Sequence, residues 1–148
     1  LMDIVLRGAE ILGAKTENDG AFEIAKRSRG TPRIANRFLK RVRDYSEIRG
    51  KGIITQDIAM EALALLGVDE LGLDELDREI LNGIIENYNG GPVGVETMSL
   101  LLGEDRRTLE EVYEPYLVKI GFLKRTHRGR MVTEKGYLHI GKEITVKE

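Results

Sequence analysis

The sequence has no cysteine and no tryptophan. Without cysteine there is no disulfide framework, no thiolate metal site and no thiol nucleophile, which fits a reducing compartment. Aromatic residues make up only 5% of the chain, so its cores must be built from aliphatic side chains. Apolar runs are short: Ala62 to Leu66 is typical, against the roughly 20 residues a helix needs to cross a bilayer. No signal-peptide pattern opens the chain. These absences lead us to expect a cytoplasmic protein with no membrane partner. Leu1 lies inside an apolar-periodic segment, which reads as a truncated N-terminus.

Catalytic signatures are missing too. No G-x-x-x-x-G-K-[ST] occurs, and Gly50-Lys51-Gly52 lacks both the upstream glycine spacing and the Ser/Thr. Leu65-Leu66-Gly67-Val68-Asp69-Glu70 resembles the hydrophobic-Asp-Glu run that holds magnesium in motor ATPases. Its upstream residues are helix-periodic, however, so a helix stop followed by an acidic linker is the better reading. His127 and His139 have no metal-ligand spacing, and Ser28, Ser46 and Ser99 stand in no nucleophile context. Nothing here is a self-sufficient active site, and no metal ligands are expected.

What is present is a chain of 148 residues, 41% hydrophobic and 32% charged, as a globular protein requires. The net charge of −2 hides segregation. Lys26, Arg27, Arg29, Arg33, Arg37, Lys40, Arg41 and Arg43 follow one another with no acid between them, and Lys119, Lys124, Arg125, Arg128 and Arg130 form a second basic cluster. Acids gather at 69–79 and 104–114. Local field, not net charge, is what steers a polyanion.

Helical periodicity and stop signals predict four short helices in residues 1–68, a small bundle. The first ends at Gly13 and the second at Gly30; the third restarts at Thr31-Pro32 and buries Ile34, Phe38, Val42 and Tyr45; the fourth is capped by Thr55 and ends at Gly67. Gly30-Thr31-Pro32-Arg33 puts an arginine in the first turn of a helix, where free backbone donors favour an anion. On spacing alone, an ordinary capped helix with a surface arginine is the favoured reading. Residues 69–73 read as a linker. From Asp74 onward the order is helix, short extended piece at Val93, helix to Leu102, helix over 109–120 interrupted by Pro115, hairpin over 122–132 with a turn at His127 to Gly129, and a last helix over 134–140. That order is a winged helix over 74–148, with the hairpin as wing. The fold class is therefore mainly α, with a two-stranded β wing. Arg125, Arg128 and Arg130 on that wing supply charges that suit phosphates.

Several motifs carry a resemblance. Arg27-Ser28-Arg29-Gly30-Thr31-Pro32-Arg33-Ile34-Ala35-Asn36-Arg37 and Arg41-Val42-Arg43-Asp44-Tyr45 resemble the lid of the RuvB family of bacterial Holliday-junction branch-migration motors. Gly90-Gly91-Pro92-Val93-Gly94, Glu111-Val112-Tyr113-Glu114-Pro115-Tyr116-Leu117, Gly121-Phe122-Leu123 and Arg125-Thr126-His127-Arg128-Gly129-Arg130 resemble its C-terminal winged helix. The resemblance implies an AAA+ lid in which Arg33 matches the sensor-2 arginine and Pro32 lies near the nucleotide base. It also implies a DNA-binding domain with Arg125 and Arg130 as phosphate contacts and Arg128 beside them. ATP and magnesium would be held mainly by a core domain absent from this chain, so the chain alone would not hydrolyse ATP. The family's partners would be duplex DNA at four-way junctions, RuvA through that core, and five further copies in a hexameric ring. His127 replaces the proline usual in the wing.

Two other functions compete on residues alone. A sequence-specific winged-helix regulator needs Arg, Asn or Gln on its third helix to read base edges, whereas Glu110, Glu111 and Glu114 read as exposed acids that repel DNA. A stand-alone interaction module would use the basic helix over 31–48.

Overall fold

A computed structural model describes residues 1–141, in two compact units that divide after Asp74. The expected winged-helix range of 74–148 thus has its last residues, 142–148, outside the described part.

The first unit contains α1 (Met2–Leu12), α2 (Asn18–Lys26), α3 (Pro32–Arg49) and α4 (Gln56–Leu65). Gly13 ends α1 in the left-handed conformation, with φ 70°, and its amide donates back to the Glu10 carbonyl. Thr55 caps α4, its Oγ1 accepting from the Ile58 amide at 3.2 Å. The core is aliphatic apart from Phe38: Val5, Ile24, Leu39, Val42, Ile54 and Leu63 are almost fully enclosed. Helix α3 buries Ala35, Phe38, Leu39, Val42 and Ser46, so its inner face is rotated slightly from the expected one, and Ile34 and Tyr45 flank it. Two short strands, β1 (Lys15–Thr16) and β2 (Ile53–Ile54), pair in parallel. At two residues each they are too short for an alternation signal to register in the sequence. Residues Asn18 to Gly20, of types that favour turns, open α2.

A buried polar group sits inside this unit. Glu23 is enclosed and accepts from Arg27 Nε at 3.1 Å, Gln56 Nε2 at 3.2 Å and Lys26 Nζ at 3.4 Å. Burial pushes its carboxyl up, but the Gln56 hydrogen bond and the charges of Lys26 and Arg27 together outweigh that and hold it below the ordinary value. A depressed carboxyl contributes stability above the ordinary glutamate range, and that stability is lost as pH falls through the lowered value. Arg27, read from the sequence as part of a basic surface stretch, is buried and committed to this pair. Arg27→Ala is expected to destabilise this unit by about 3 kcal/mol, because a buried carboxylate loses its closest and only buried counter-charge among the described residues. The urea midpoint at neutral pH, followed by helical circular dichroism, measures it.

The residues read as a linker, 69–73, form a turn of their own just before the division between the units. Asp69 Oδ1 accepts from the amides of Leu71 and Leu73, both at 2.9 Å, and Leu73 is fully buried. The acids suggest a solvated tether, but Asp69 serves the local backbone, as aspartate does in tight turns.

The second unit opens with α5 (Glu75–Tyr88), which buries Ile80, Leu81, Ile84 and Ile85. After it come α6 (Val95–Leu102), then one continuous helical run of α7 (Arg106–Thr108), a π-helical turn (Leu109–Tyr113) and α8 (Glu114–Lys119). Strands β3 (Leu123–Thr126) and β4 (Gly129–Val132) form the hairpin, and α9 (Glu134–Ile140) closes the described chain. Pro115, expected to kink or break the helix, does neither outright: the disturbance is taken up by the π turn just before it. Proline offers no amide to residue 111 and crowds that carbonyl, and a wider turn relieves both. The extra residue also rotates the rest of the helix by about 100° about its axis. Val93 adds a bridge to the hairpin, exchanging hydrogen bonds with Arg130 at 3.0 and 2.8 Å.

Candidate nucleic-acid interface and nucleotide-facing turn

The hairpin register pairs Arg125 with Arg130 and Thr126 with Gly129. Cross-strand partners share a face, so two guanidinium groups stand side by side, an arrangement that repels unless an anion lies between them. That anion is Glu114. Its side chain is fully buried, and Arg130 Nε donates to both carboxylate oxygens, at 2.7 and 3.1 Å. Arg125 Nε stands 3.6 Å from the same carboxylate, and its Nη2 reaches the Glu110 carbonyl at 3.4 Å. Arg130 Nη2 lies 3.7 Å from Glu110 Oε1.

The three wing arginines are therefore not equivalent. Arg130 is 17% exposed and committed to the helix acids; Arg125 is 48% exposed and more loosely held. Arg128 is exposed at the tip beside His127, its amide donating to Thr126 Oγ1 at 3.2 Å. Thr126 Oγ1 in turn donates to the Gly129 carbonyl at 2.8 Å, which fixes the turn without the missing proline. An open groove of about 370 Å³ separates this tip from the start of α6, bordered by Gly94, Thr97, Arg106, Arg128 and Arg130.

The helix acids need correction. Glu114 is not an exposed repulsive charge; the π turn swings it inward onto the wing. Glu110 is occupied by Arg106 at 3.1 Å as well as by Arg130. Glu111 alone of the three is well exposed, 3.8 Å from Arg107. Sequence reasoning misses the Glu114 pairing because it counts helical spacing at an unbroken 3.6 residues per turn. The one available signal is Pro115 next to an acid. His139 stacks obliquely on Phe122, its ring centroid 4.8 Å away, and so packs against a core side chain.

In the first unit, α2 gives way to a tight turn with Arg29 at φ 60° and Gly30 at φ 70°. Two successive left-handed residues turn the chain sharply into α3. Thr31 occupies the N-cap position, but its hydroxyl makes no capping bond, contrary to its expected role. The first amides of α3 thus receive no bond from the Thr31 side chain, and Pro32 and Arg33 are both exposed beside them. Such a helix start, with an exposed guanidinium next to it, suits an anionic ligand on one side only. Arg37, Lys40 and Arg41 are exposed along the same helix.

Two family models match this chain, the RuvB AAA lid domain over residues 1–69 and the RuvB C-terminal winged helix domain over residues 70–141. The chain belongs to the RuvB family. The Holliday junction branch migration complex subunit RuvB of Fusobacterium nucleatum is 70% identical over 147 residues, covering 99% of this chain and 44% of that protein. The Nostoc punctiforme RuvB subunit is 61% identical, over 95% of this chain and 38% of its own length. Among solved structures, the Thermotoga maritima RuvB Holliday junction branch migration motor superposes with a TM-score of 0.94 at 49% identity, over 97% of this chain and 48% of that one. This chain thus spans less than half the length of these relatives. Its winged helix and its lid are the two RuvB modules that the family models describe, and Arg33 and the wing arginines stand one in each. Among the described residues no helix is long and apolar enough to cross a membrane.

Proposed function

We propose that this chain is the lid and DNA-binding portion of an ATP-driven motor that moves four-way DNA junctions, and that its winged unit grips duplex DNA through backbone phosphates. The observation that carries this reading is the wing tip: Arg125 and Arg128 project at an exposed hairpin end while the neighbouring helix offers Glu111 to solvent. Charge suited to phosphate is concentrated on the hairpin, whereas the arginines that open the helical run, Arg106 and Arg107, are already paired with Glu96, Glu110 and Glu111. A motor that travels along any sequence needs that kind of grip. Arg125 and Arg128 make the primary contacts, with Arg130 contributing its remaining exposed edge.

The lid residues Arg33 and Pro32 face nucleotide held mainly by a preceding ATPase core. The exposed arginine at an uncapped helix start fits a terminal phosphate from one side but supplies no cradle for it, so this chain contributes sensing, not hydrolysis. ATP with magnesium supplies the energy of the cycle when bound to the whole motor, and Arg33 holds the lid in register with the phosphate. Assembly as a hexameric ring and loading by RuvA belong to the same reading of the whole protein, as does a place in recombination and repair in the cytoplasm. The family assignment favours this function over the sequence-specific regulator.

The test is duplex binding by this chain. Two unrelated duplexes are expected to bind with equal affinity, and the logarithm of the binding constant to fall with the logarithm of salt at a slope of about −2 to −3, near −0.9 per phosphate contact. A sharp preference for one sequence would sink the phosphate-grip reading.

A further inference from the structure

The buried carboxylate of Glu114 is unexpected in a unit read as a DNA grip, since an acid next to phosphate contacts ordinarily weakens them. Its surroundings suggest the opposite role. Arg125 and Arg130 are cross-strand neighbours of like charge, and Glu114 is the fully buried anion between them. It reaches that place through the π turn at 109–113, which turns the helix face toward the hairpin. Arg130 is fixed further through its backbone, which pairs with Val93 on one side and Arg125 on the other. Arg125 has no comparable close bond to the carboxylate and can leave it for a phosphate.

We propose that Glu114 is the positioning residue of the DNA grip: it locks Arg130 as a strut between helix and wing, and so holds Arg125 and Arg128 where they meet phosphate. Arg130 then acts mainly as support. Without the carboxylate, the two guanidinium groups repel and the hairpin splays from the helix. This rests on the phosphate-grip reading above. It predicts that removing a negative charge weakens DNA binding, which no simple count of charges would give.

The experiment compares the 148-residue chain with E114Q and E111Q, titrated into a fluorescein-labelled duplex and read by anisotropy at several salt concentrations. E111Q removes the same charge from an exposed site of the same helical run and is expected to bind equally or up to about twofold tighter. E114Q is expected to bind about tenfold weaker, with a salt slope shallower by about 1 to 2 because fewer phosphates are neutralised. A merely destabilised protein would show a smaller active fraction with an unchanged slope, and that result counts against positioning. E114Q binding as tightly as the parent overturns the proposal while leaving the phosphate grip intact. Failure of the parent chain to bind duplex overturns the grip itself. Should E114Q not fold, nuclear magnetic resonance of arginine Nε–Hε groups in the parent chain decides. On adding duplex, the Arg125 signal should shift strongly and the Arg130 signal, whose Nε is held by Glu114, only slightly; an Arg130 that moves as far as Arg125 refutes its role as a strut.

Discussion

Replacing Arg125 and Arg128 together by alanine is expected to lower duplex affinity about 100-fold at low salt and to flatten the salt slope by about 2. A guanidinium meeting phosphate at an exposed edge contributes about 1.4 kcal/mol after solvent screening, which is a factor of about ten for each arginine. The slope reflects counterion release, since each phosphate that an arginine neutralises frees close to one bound ion. Neither residue is needed for the fold, because Arg128 is exposed and Arg125 half-exposed, so the thermal transition should barely move. Arg106→Ala with Arg107→Ala provides the contrast. Those arginines are also exposed, but Arg106 is bonded to Glu96 at 2.8 Å and to Glu110 at 3.1 Å, and Arg107 lies near Glu111. Their charge is already answered, and removing them should reduce affinity only a few-fold. Anisotropy titrations across a salt series measure both pairs. Equal losses for the two would mean that overall charge, not the wing, holds DNA.

The parts of this molecule that are readable in the sequence are those fixed by local chemistry. Gly13 after an apolar-periodic segment, Thr55 before another, and Pro32 at a helix start each act within a turn or so of chain, and each marks a boundary that the structure also has. The hairpin is readable for the same reason, since its strands are joined by His127 and Arg128 alone. Features escape where a partner is distant in sequence or where one local signal allows two structures. Arg27 reads as one more surface base, because nothing local shows that Gln56, from α4, joins it on Glu23. Glu114 reads as exposed because a regular helix would turn it outward. A single π turn reverses that, and its cause, Pro115, is visible in the sequence but signals a break as readily as a wider turn. Likewise the charge of Asp69 and Glu70 does not show that the Asp69 carboxylate ties two backbone amides. The candidate site divides in the same way. Its exposed tip is legible, and the buried carboxylate that sets the tip's geometry is not.

Gly129→Ala is expected to destabilise the winged unit by about 3 kcal/mol or more and to weaken DNA binding along with it. Gly129 begins β4 at φ 133°, where a side chain is already strained. A methyl group there would stand 2.5 Å from the Val93 carbonyl oxygen and 2.6 Å from its carbon, both of them backbone. Backbone held in a ladder cannot step aside as a flexible side chain can. The methyl must therefore separate Val93 from the hairpin, which breaks the pair of hydrogen bonds linking Val93 and Arg130. Arg130 then loses its backbone anchor, and the wing loses its register against the helix. Gly103→Ala is the unclashed contrast: that residue has an ordinary left-handed φ of 65°, and nothing lies within 4 Å of its added methyl. Its cost should be only about 1 kcal/mol. Hydrogen exchange at the Val93 and Arg130 amides separates the two variants directly. Both amides should exchange much faster in Gly129→Ala and almost unchanged in Gly103→Ala. Retained protection in Gly129→Ala would show that the Val93 segment can shift without cost, and the wing's rigidity would then have to come from the Glu114 pair alone.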